Sequence, residues 1–285
     1  MITATRYRAL AEINRQSKLG AEIAKAQTDI STGVKIDKPS DDPIAFARIA
    51  ELRRAQADQT VWARNIQTAK SIAAEVDDAM GALGDIFNRV KELMLAGRTE
   101  SASASDRSAI VLELNSLRTG LTNLSTSQTP TGQALFPTDA PLQISTSETQ
   151  RLAATAQRSD VFEGLSLTAG TGTLDDVIAN AIAAISENDM DTRRTLANTS
   201  LDDIDKALTH VGDQHALQGL RAAQLDAASE RLVQVQTQLA EERGTLEDTD
   251  VAATVMKLNA KTLALQAAQA AFAKVNRNTL FDFLS

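Results

Sequence analysis

Hydrophobic residues recur at alternating steps of four and three along three stretches of this sequence. Such spacing places an apolar seam along one side of an α-helix, as in helices that pack side by side. The runs extend from Trp62 to Met94, from Ile110 to Leu124 and from Leu201 to Leu239. The third run includes polar members, among them His215 and Gln218. Three helices with matching seams predict a bundle.

Both ends of the chain also show helical hydrophobic spacing. An apolar stripe on a terminal helix needs another helix or another copy of the chain to cover it, so stripes at both ends indicate a polymerisation surface. We expect the following side chains to form an assembly interface: Leu10, Ile13, Ile23 and Ile30 near the start, and Val255, Leu258, Leu265, Phe272, Val275, Phe281 and Phe283 near the end.

Helix-capping residues mark the turns between these helices. The first turn is Pro39-Ser40-Asp41-Asp42-Pro43, in which Asp42 is suited to accept N–H groups from a helix that begins at Pro43. The second lies within residues 244–250, where Thr249 or Asp250 is suited to cap the last helix. For the middle run, the candidate caps are Ser105 and Asp106. The capping interpretation of these acidic residues is favoured over a catalytic one.

Residues 128–173 break the helical pattern. Three of the five prolines and four glycines lie here, and two segments, 142–145 and 165–168, alternate apolar with polar side chains. Both features are typical of short strands and turns. The sequence therefore predicts a mainly α fold, an elongated helical bundle or coiled coil formed by the N- and C-terminal segments, with a small β-rich insertion in the middle. The expected parts are terminal helices at 1–40 and 249–285, a helical rod at 41–127 and 174–248, and an outer insertion at 128–173.

Composition supports long helices over a compact enzyme core. Hydrophobic residues make up 43% of the 285 residues, but aromatic residues make up only 3%. The net charge of −8 argues against a nucleic-acid surface, and no apolar run is long enough to insert into a membrane. Cysteine is absent. The first residues contain no apolar run of signal-peptide length, so an extracellular location requires export without a cleaved signal.

No pattern of catalytic, cofactor-binding or metal-binding residues is found. The two histidines, His210 and His215, are five residues apart, which places them on different faces of a helix. We expect His215 to be a core imidazole with a polar neighbour. Adjacent carboxylates at 77–78, 175–176 and 202–203 point in different directions and indicate solvated helix faces. These observations favour a protein that is not an enzyme and needs no cofactor.

Motifs at both ends carry a resemblance to a known family. The segment 30–36, reading ISTGVKI, is followed by the turn at residues 39–43 and resembles the amino-terminal signature of the flagellin superfamily. Residues 246–250, reading LEDTD, resemble the turn before the last helix of that family. The two prolines of the first turn and the ending Phe281-Asp282-Phe283-Leu284 are similar to the hook-associated branch, whose members join the hook of the bacterial flagellum to its filament.

This resemblance implies a structural subunit that is exported unfolded and polymerises through its terminal helices. The implied partners are copies of itself in a ring, a neighbouring hook-associated protein, flagellin, and an export chaperone on the C-terminal helix. It implies an extracellular location in the flagellum. On the helical body, Arg89 and Glu113 are candidates for lengthwise contacts between subunits; the alternative is that they are exposed charged residues with no such role. A small filament flagellin is the first alternative, and a cytoplasmic helical scaffold or signalling module is the more distant one.

Overall fold

The computed structural model describes residues 2–99, 102–141 and 143–281. Within these ranges the chain forms seven helices and four three-residue strands. The elements are α1 (Ile2–Thr32), α2 (Pro43–Gly97), α3 (Ala104–Ser125), β1 (Gln143–Ser145), β2 (Arg151–Ala153), α4 (Arg158–Phe162), β3 (Leu165–Leu167), β4 (Gly170–Gly172), α5 (Leu174–Ser186), α6 (Met190–Glu247) and α7 (Val251–Phe281). The predicted fold class, mainly α with a small β-rich insertion, is confirmed.

The contacts divide the chain into two units. One unit contains the residues up to Ala57 and those from Gln236 onwards, and the other contains Asp58–Val235. Both boundaries fall inside long helices, α2 and α6, rather than in the turns that flank the terminal helices. The division of the chain into terminal helices, rod and insertion stays a prediction.

The core of the second unit follows the seam that the hydrophobic spacing predicts. From Ile66 to Met94, every seam residue of α2 is buried, and the central ones, such as Leu83 and Phe87, have no exposed surface. The seams of α3 and α6 pack into the same core through residues such as Leu114 and Ile204. A fourth helix, α5, contributes one side of its surface, and contacts α3. Burial of aliphatic side chains along these seams supplies most of the stabilisation of such a bundle.

The insertion consists of two small hairpins separated by a helical turn. Strand β1 pairs antiparallel with β2, and β3 pairs antiparallel with β4, so both predicted alternating segments contain a strand. The helix α4 was not predicted; it buries Val161 and Phe162, and the ring of Phe162 meets Phe136 edge to face at 5.1 Å. Apolar side chains from this segment therefore extend the helical core rather than forming a separate one.

Two helices of this unit begin with reciprocal caps. Ser103, not Ser105 or Asp106, precedes α3, and its hydroxyl accepts the N–H of Asp106 while the carboxylate of Asp106 accepts the N–H of Ser103. The prediction of the cap was wrong by two residues because Asp106 belongs to the third helical position, where it completes the pair. Thr173 and Asp176 make the same arrangement before α5, and the helix resumes at Leu174 as predicted.

Candidate assembly surface on the terminal helices

Helices α1 and α7 form an antiparallel pair within the first unit. The ammonium of Lys261 lies 2.8 Å from the carboxylate of Glu22, and at the other end of the pair the N–H of Thr249 donates to the carbonyl of Gly33 at 2.8 Å. The faces that meet are only partly apolar. The residues of lower exposure are Glu12, Gln16, Leu19, Ile23, Ala26 and Ile30 on α1, and Thr254, Leu258, Lys261, Leu265, Ala268 and Phe272 on α7.

The residues expected to form an assembly interface separate into two groups. Five are half-buried along the α1–α7 seam: Ile23, Ile30, Leu258, Leu265 and Phe272. Three others are exposed, namely Leu10, Ile13 and Val255, with Leu10 60% and Ile13 51% exposed. The side chains of Val275 and Phe281, and all of Phe283, lie outside the described residues. Contact of any of these residues with another subunit stays a prediction.

A second apolar seam runs along the opposite side of α7. Met256 and Leu263 are 67% and 68% exposed, and they share this side with three exposed alanines. The positions follow steps of four, three, four and three: Met256, Ala260, Leu263, Ala267 and Ala270. This seam was not predicted, although its spacing can be seen in the sequence. Two sets of heptad-spaced apolar residues overlap on this helix, and a search for a single stripe finds only one of them. A helix that is apolar on two sides is typical of a buried position.

The turn before α2 is organised by its two aspartates. The carboxylate of Asp42 accepts the N–H groups of Ile44 and Ala45, each at 3.0 Å, so Asp42 caps a helix that begins at Pro43. The carboxylate of Asp41 instead accepts the N–H of Asp37 at 3.2 Å and lies 3.2 Å from the ammonium of Lys25. The hydrogen bond from the backbone N–H of Asp37 and the pairing with Lys25 lower the pKa of Asp41. Pro39 and Ser40 are exposed in the turn.

The second connection lies directly beside the first. Gly33 ends α1 with a φ of 72°, a left-handed conformation that glycine adopts without steric cost. The following residue, Val34, makes an isolated antiparallel bridge with Asp248, and the N–H of Lys35 donates to the carbonyl of Glu247 at 2.8 Å. Asp250 caps α7 by accepting the N–H of Ala253 at 3.0 Å. Of the two caps that the sequence allowed here, the structure selects Asp250.

A buried carboxylate ties α2 and the end of α6 together near this connection. Glu247 is 8% exposed and pairs with Arg53 of α2 and, at 3.3 Å, with Arg243 one turn earlier. Arg243 also donates to the side chain of Gln56 at 2.9 Å. These contacts, together with the paired turns, fix the base of the terminal helix pair by hydrogen bonds and ion pairs.

Several charged residues of the second unit have partners that the sequence did not indicate. Asp203 is buried rather than solvated, and Asp175 pairs with Arg118 at 2.6 Å. The interpretation as a solvated face was therefore wrong for Asp203, because Thr168 reaches its carboxylate from 35 residues away, whereas Asp175 remains partly exposed beside its partner. His215 was expected in the core; it has the predicted polar neighbour, Asp77 at 2.9 Å, but is partly exposed.

Arg89 and Glu113, the candidates for lengthwise contacts, bind each other. The guanidinium of Arg89 donates to the carboxylate of Glu113 at 2.7 Å, and both side chains are exposed. Their contact with another subunit stays a prediction.

Within the described part of the chain, no group of three or more His, Asp or Glu side chains is arranged to hold a metal ion. None of the described helices combines the length and the apolar character that crossing a membrane requires.

Comparison with known proteins assigns the family. Residues 4–139 match the bacterial flagellin N-terminal helical region, and residues 201–284 match the bacterial flagellin C-terminal helical region. The chain belongs to the flagellin family. It is therefore a structural subunit of the bacterial flagellum, and this decides against the cytoplasmic scaffold alternative. The two matches cover nearly all of α1, all of α2, α3 and α7, and most of α6.

Relatives occur in both branches of the family. The flagellin of Halalkalibacterium halodurans is 26% identical over 257 residues, which cover 89% of this chain and 88% of that protein. Flagellar hook-associated protein 3 of Escherichia coli is 27% identical over 225 residues, covering 74% of this chain and 68% of that protein. Among solved structures, the flagellar junction protein FlgL from Legionella pneumophila has a similar fold, with a TM-score of 0.58 at 13% identity, covering 70% of this chain and 99% of that one.

Proposed function

We propose that this chain is the subunit that joins the flagellar hook to the filament, and that it polymerises through α1 and α7. In this role, copies of the chain form a ring between a neighbouring hook-associated protein and flagellin, outside the cell. The role is structural and involves no enzymatic reaction, since the family consists of structural flagellar proteins.

The second apolar seam of α7 is the observation that carries the proposal. One side of α7 packs against α1, yet the opposite side exposes Met256 and Leu263 on a heptad spacing. A single α-helical pair cannot cover both sides of one of its members. In a ring or tube of subunits, helices of neighbouring copies cover the second side and bury it.

The exposed part of α1 supports the same arrangement. Leu10 and Ile13 point away from the α7 seam, while Glu12 and Gln16 lie on it. The Nε2 of Gln16 is buried without a hydrogen-bond partner among the described residues. The start of α1 thus directs its larger apolar side chains outward, where a neighbouring subunit can bury them.

Two features favour the junction over the filament. The first turn carries prolines on both sides of its acidic pair, and residues 281–284 read FDFL; both segments are similar to the hook-associated branch. The hook-associated protein 3 of E. coli is a relative over most of this chain, and the junction protein of L. pneumophila shares its fold.

A small filament flagellin is the second candidate, because the flagellin of H. halodurans aligns with 89% of this chain. Electron microscopy of a deletion strain separates the two roles. For a junction subunit we expect the deletion strain to make hooks without filaments and to release unassembled flagellin into the medium. A plasmid-borne copy should restore the filaments and stop this release. Gold-labelled antibody on isolated hook–filament particles should then mark one band at the hook end. Label along the whole filament would assign the chain to the filament instead.

The proposal also includes export before assembly. We infer that the chain leaves the cell unfolded, and that a cytoplasmic chaperone covers α7 beforehand. Ordering the ends costs about 1–2 kcal/mol per residue of backbone entropy, so we expect residues 1–38 and 250–285 to order fully only when neighbouring subunits bury them. Far-UV circular dichroism of the monomer and of a variant lacking both ends tests this. An equal number of helical residues per chain in the two proteins supports loosely ordered ends. If the full-length monomer has additional helical residues equal to two complete helices, the expectation is contradicted.

A further inference from the structure

A small apolar pocket of about 280 Å³ lies in the second unit, lined by residues of the insertion and of α2. Ile72 of α2 and Ile144 of β1 form part of its wall, which alanines, a proline, two threonines and a glutamine complete. None of the described residues that line it carries a charge. The hydroxyl of Thr129 is already bonded to that of Thr131 at 2.8 Å. The pocket is smaller than the roughly 300–1,000 Å³ of small-molecule sites, and its chemistry suits a single aliphatic side chain.

A leucine of α6 is exposed in surroundings that suit it to enter such a pocket. Leu220 is 57% exposed. Residues three and four positions away are its neighbours on the helix surface. These neighbours are all uncharged, and two of them are alanines: Ala216, Leu217, Ala223 and Gln224. Because the alanines are small, the side chain of Leu220 projects beyond the surface around it.

Two glycines near Leu220 indicate that another backbone approaches α6 here. Gly212 and Gly219 are exposed, lie inside a helix of 58 residues and do not have a positive φ. A Cβ added at either position would meet no other part of the described chain within 4 Å, so packing within one chain does not require glycine. Glycine inside a helix is destabilising relative to alanine, but it lets another backbone come close.

Leu220 and the pocket lie on opposite sides of α6. The side chain of Gln218 points towards the pocket, since its amide donates to the carbonyl of Ala154, a residue of the pocket wall, at 2.9 Å. Leu220 follows two positions later. Successive residues of a helix are about 100° apart, so Leu220 points about 200° away from Gln218. Leu220 therefore cannot reach the pocket of its own chain.

We propose that Leu220 of one copy of the chain inserts into this pocket of a neighbouring copy. The pocket lining and the positions three and four residues from Leu220 are uncharged, so the contact buries no ion without a partner. The two surfaces differ, and a contact of this kind, repeated from copy to copy, builds a ring or a filament rather than a closed dimer. The inference rests on the proposed function, in which copies of the chain assemble, and it names one of their contacts.

The absence of cysteine from the chain allows a direct test by cross-linking. Leu220→Cys and Ala134→Cys, at an exposed alanine of the pocket lining, are made separately in the full-length chain. The two variants are mixed, a short thiol cross-linker is added, and the linked peptides are identified by mass spectrometry. We expect a heterodimer of the two variants, and a ladder of oligomers from a chain that carries both substitutions. If Leu220→Cys alone links to itself as efficiently, the proposal is overturned.

Leu112→Cys is the matched control, because Leu112 is a 73% exposed leucine on α3. Mixed with Ala134→Cys, it should give at least about tenfold less heterodimer, the effect of losing a contact that buries one leucine side chain. Equal yields from the two mixtures would show random encounter and contradict the proposal. Circular dichroism checks that each variant folds, and Ala140→Cys, at a second exposed alanine of the lining, replaces Ala134→Cys if that variant does not.

Failure of this contact and failure of the proposed function give different results. The role at the hook is tested in a deletion strain, whereas cross-linking uses the purified chain. Hooks without filaments in the deletion strain, together with no specific heterodimer, would overturn the contact alone. A specific heterodimer from a chain whose deletion leaves the filaments attached would overturn the junction role and keep the contact.

Discussion

The side chain of Gln218 on α6 donates a hydrogen bond of 3.2 Å to the carbonyl of Ala73 on α2. The same amide donates to the carbonyl of Ala154 at 2.9 Å, so one buried residue connects two long helices and the insertion. Gln218 has no exposed surface and stands in the apolar seam of α6. A polar residue at a seam position favours one register of the packed helices, because any other register leaves it without partners.

We therefore expect Gln218→Leu to lower the free energy of unfolding by about 1–3 kcal/mol, since the carbonyl of Ala154 loses its donor. Urea unfolding followed by circular dichroism measures this. The matched control is Gln224→Leu, at an exposed position of the same helix, which should change stability by less than about 0.5 kcal/mol. A Gln218→Leu variant more stable than the parent, with an equally sharp transition, would show that the hydrogen bonds do not hold the register.

A second prediction concerns the buried carboxylate of Asp203, which accepts hydrogen bonds from the N–H of Thr168 at 2.8 Å and from Lys206 at 2.9 Å. Burial acts to raise the pKa of Asp203, but the hydrogen bonds from Lys206 and Thr168 outweigh it and lower the pKa. A carboxyl with a depressed pKa in the folded state stabilises the protein above its unfolded pKa, and this stabilisation is lost as the pH falls through the folded value. We expect Asp203→Asn to be destabilising by about 1–2 kcal/mol at pH 7.

The pH dependence makes this prediction specific. Urea unfolding at pH 7 and pH 5 should give the same difference between Asp203→Asn and the parent, and the difference should shrink below pH of about 4. Asp202→Asn, at the exposed neighbour, serves as the control and should change stability little at any of these pH values. A difference that persists unchanged at the lowest pH would assign the effect to packing rather than to the charge.

The long seams could be predicted because their apolar residues follow a single helical spacing. From Ile66 to Met94, one apolar stripe of α2 faces one core, so the spacing alone identifies the buried residues. The strands of the insertion were predictable for the same reason, since alternation and turn residues are local signals. The start of α2 was predictable as well, because Asp42 and Pro43 are adjacent and act within one turn.

The features that sequence reasoning missed depend on distant partners or on overlapping patterns. The burial of Asp203 follows from its contact with Thr168, 35 residues away, and nothing near Asp203 in the sequence signals it. The pairing of Asp175 with Arg118 is of the same kind. On α7, two heptad frames overlap, so a search for one stripe selects Leu258 and Leu265 and overlooks Met256 and Leu263.

The cap of α2 leads to a third prediction. Asp42 satisfies the N–H groups of Ile44 and Ala45, so Asp42→Ala should lower the free energy of unfolding by about 1 kcal/mol. Asp42→Ser keeps a capping oxygen and should recover most of this loss. Urea unfolding compares the two variants. An equal loss in both would mean that the charge of Asp42, rather than its hydrogen bonds, stabilises the turn.

The last prediction tests the exposed seam of α7 directly. Leu263 is 68% exposed, so Leu263→Glu removes no buried contact and should change the stability of the monomer by less than about 0.5 kcal/mol. If the second seam of α7 is the subunit interface, as we propose, a carboxylate at this position meets the apolar side chains of a neighbouring copy, where an unpaired charge is strongly unfavourable. We therefore expect Leu263→Glu to be exported but to fail to assemble, leaving cells without filaments. Leu112→Glu, which makes the same change at a 73% exposed leucine of α3, is the control and should restore motility to the deletion strain. Normal assembly of Leu263→Glu would place the second seam of α7 outside the subunit interface, and equal failure of both variants would show that the effect of the added carboxylate is not specific to α7.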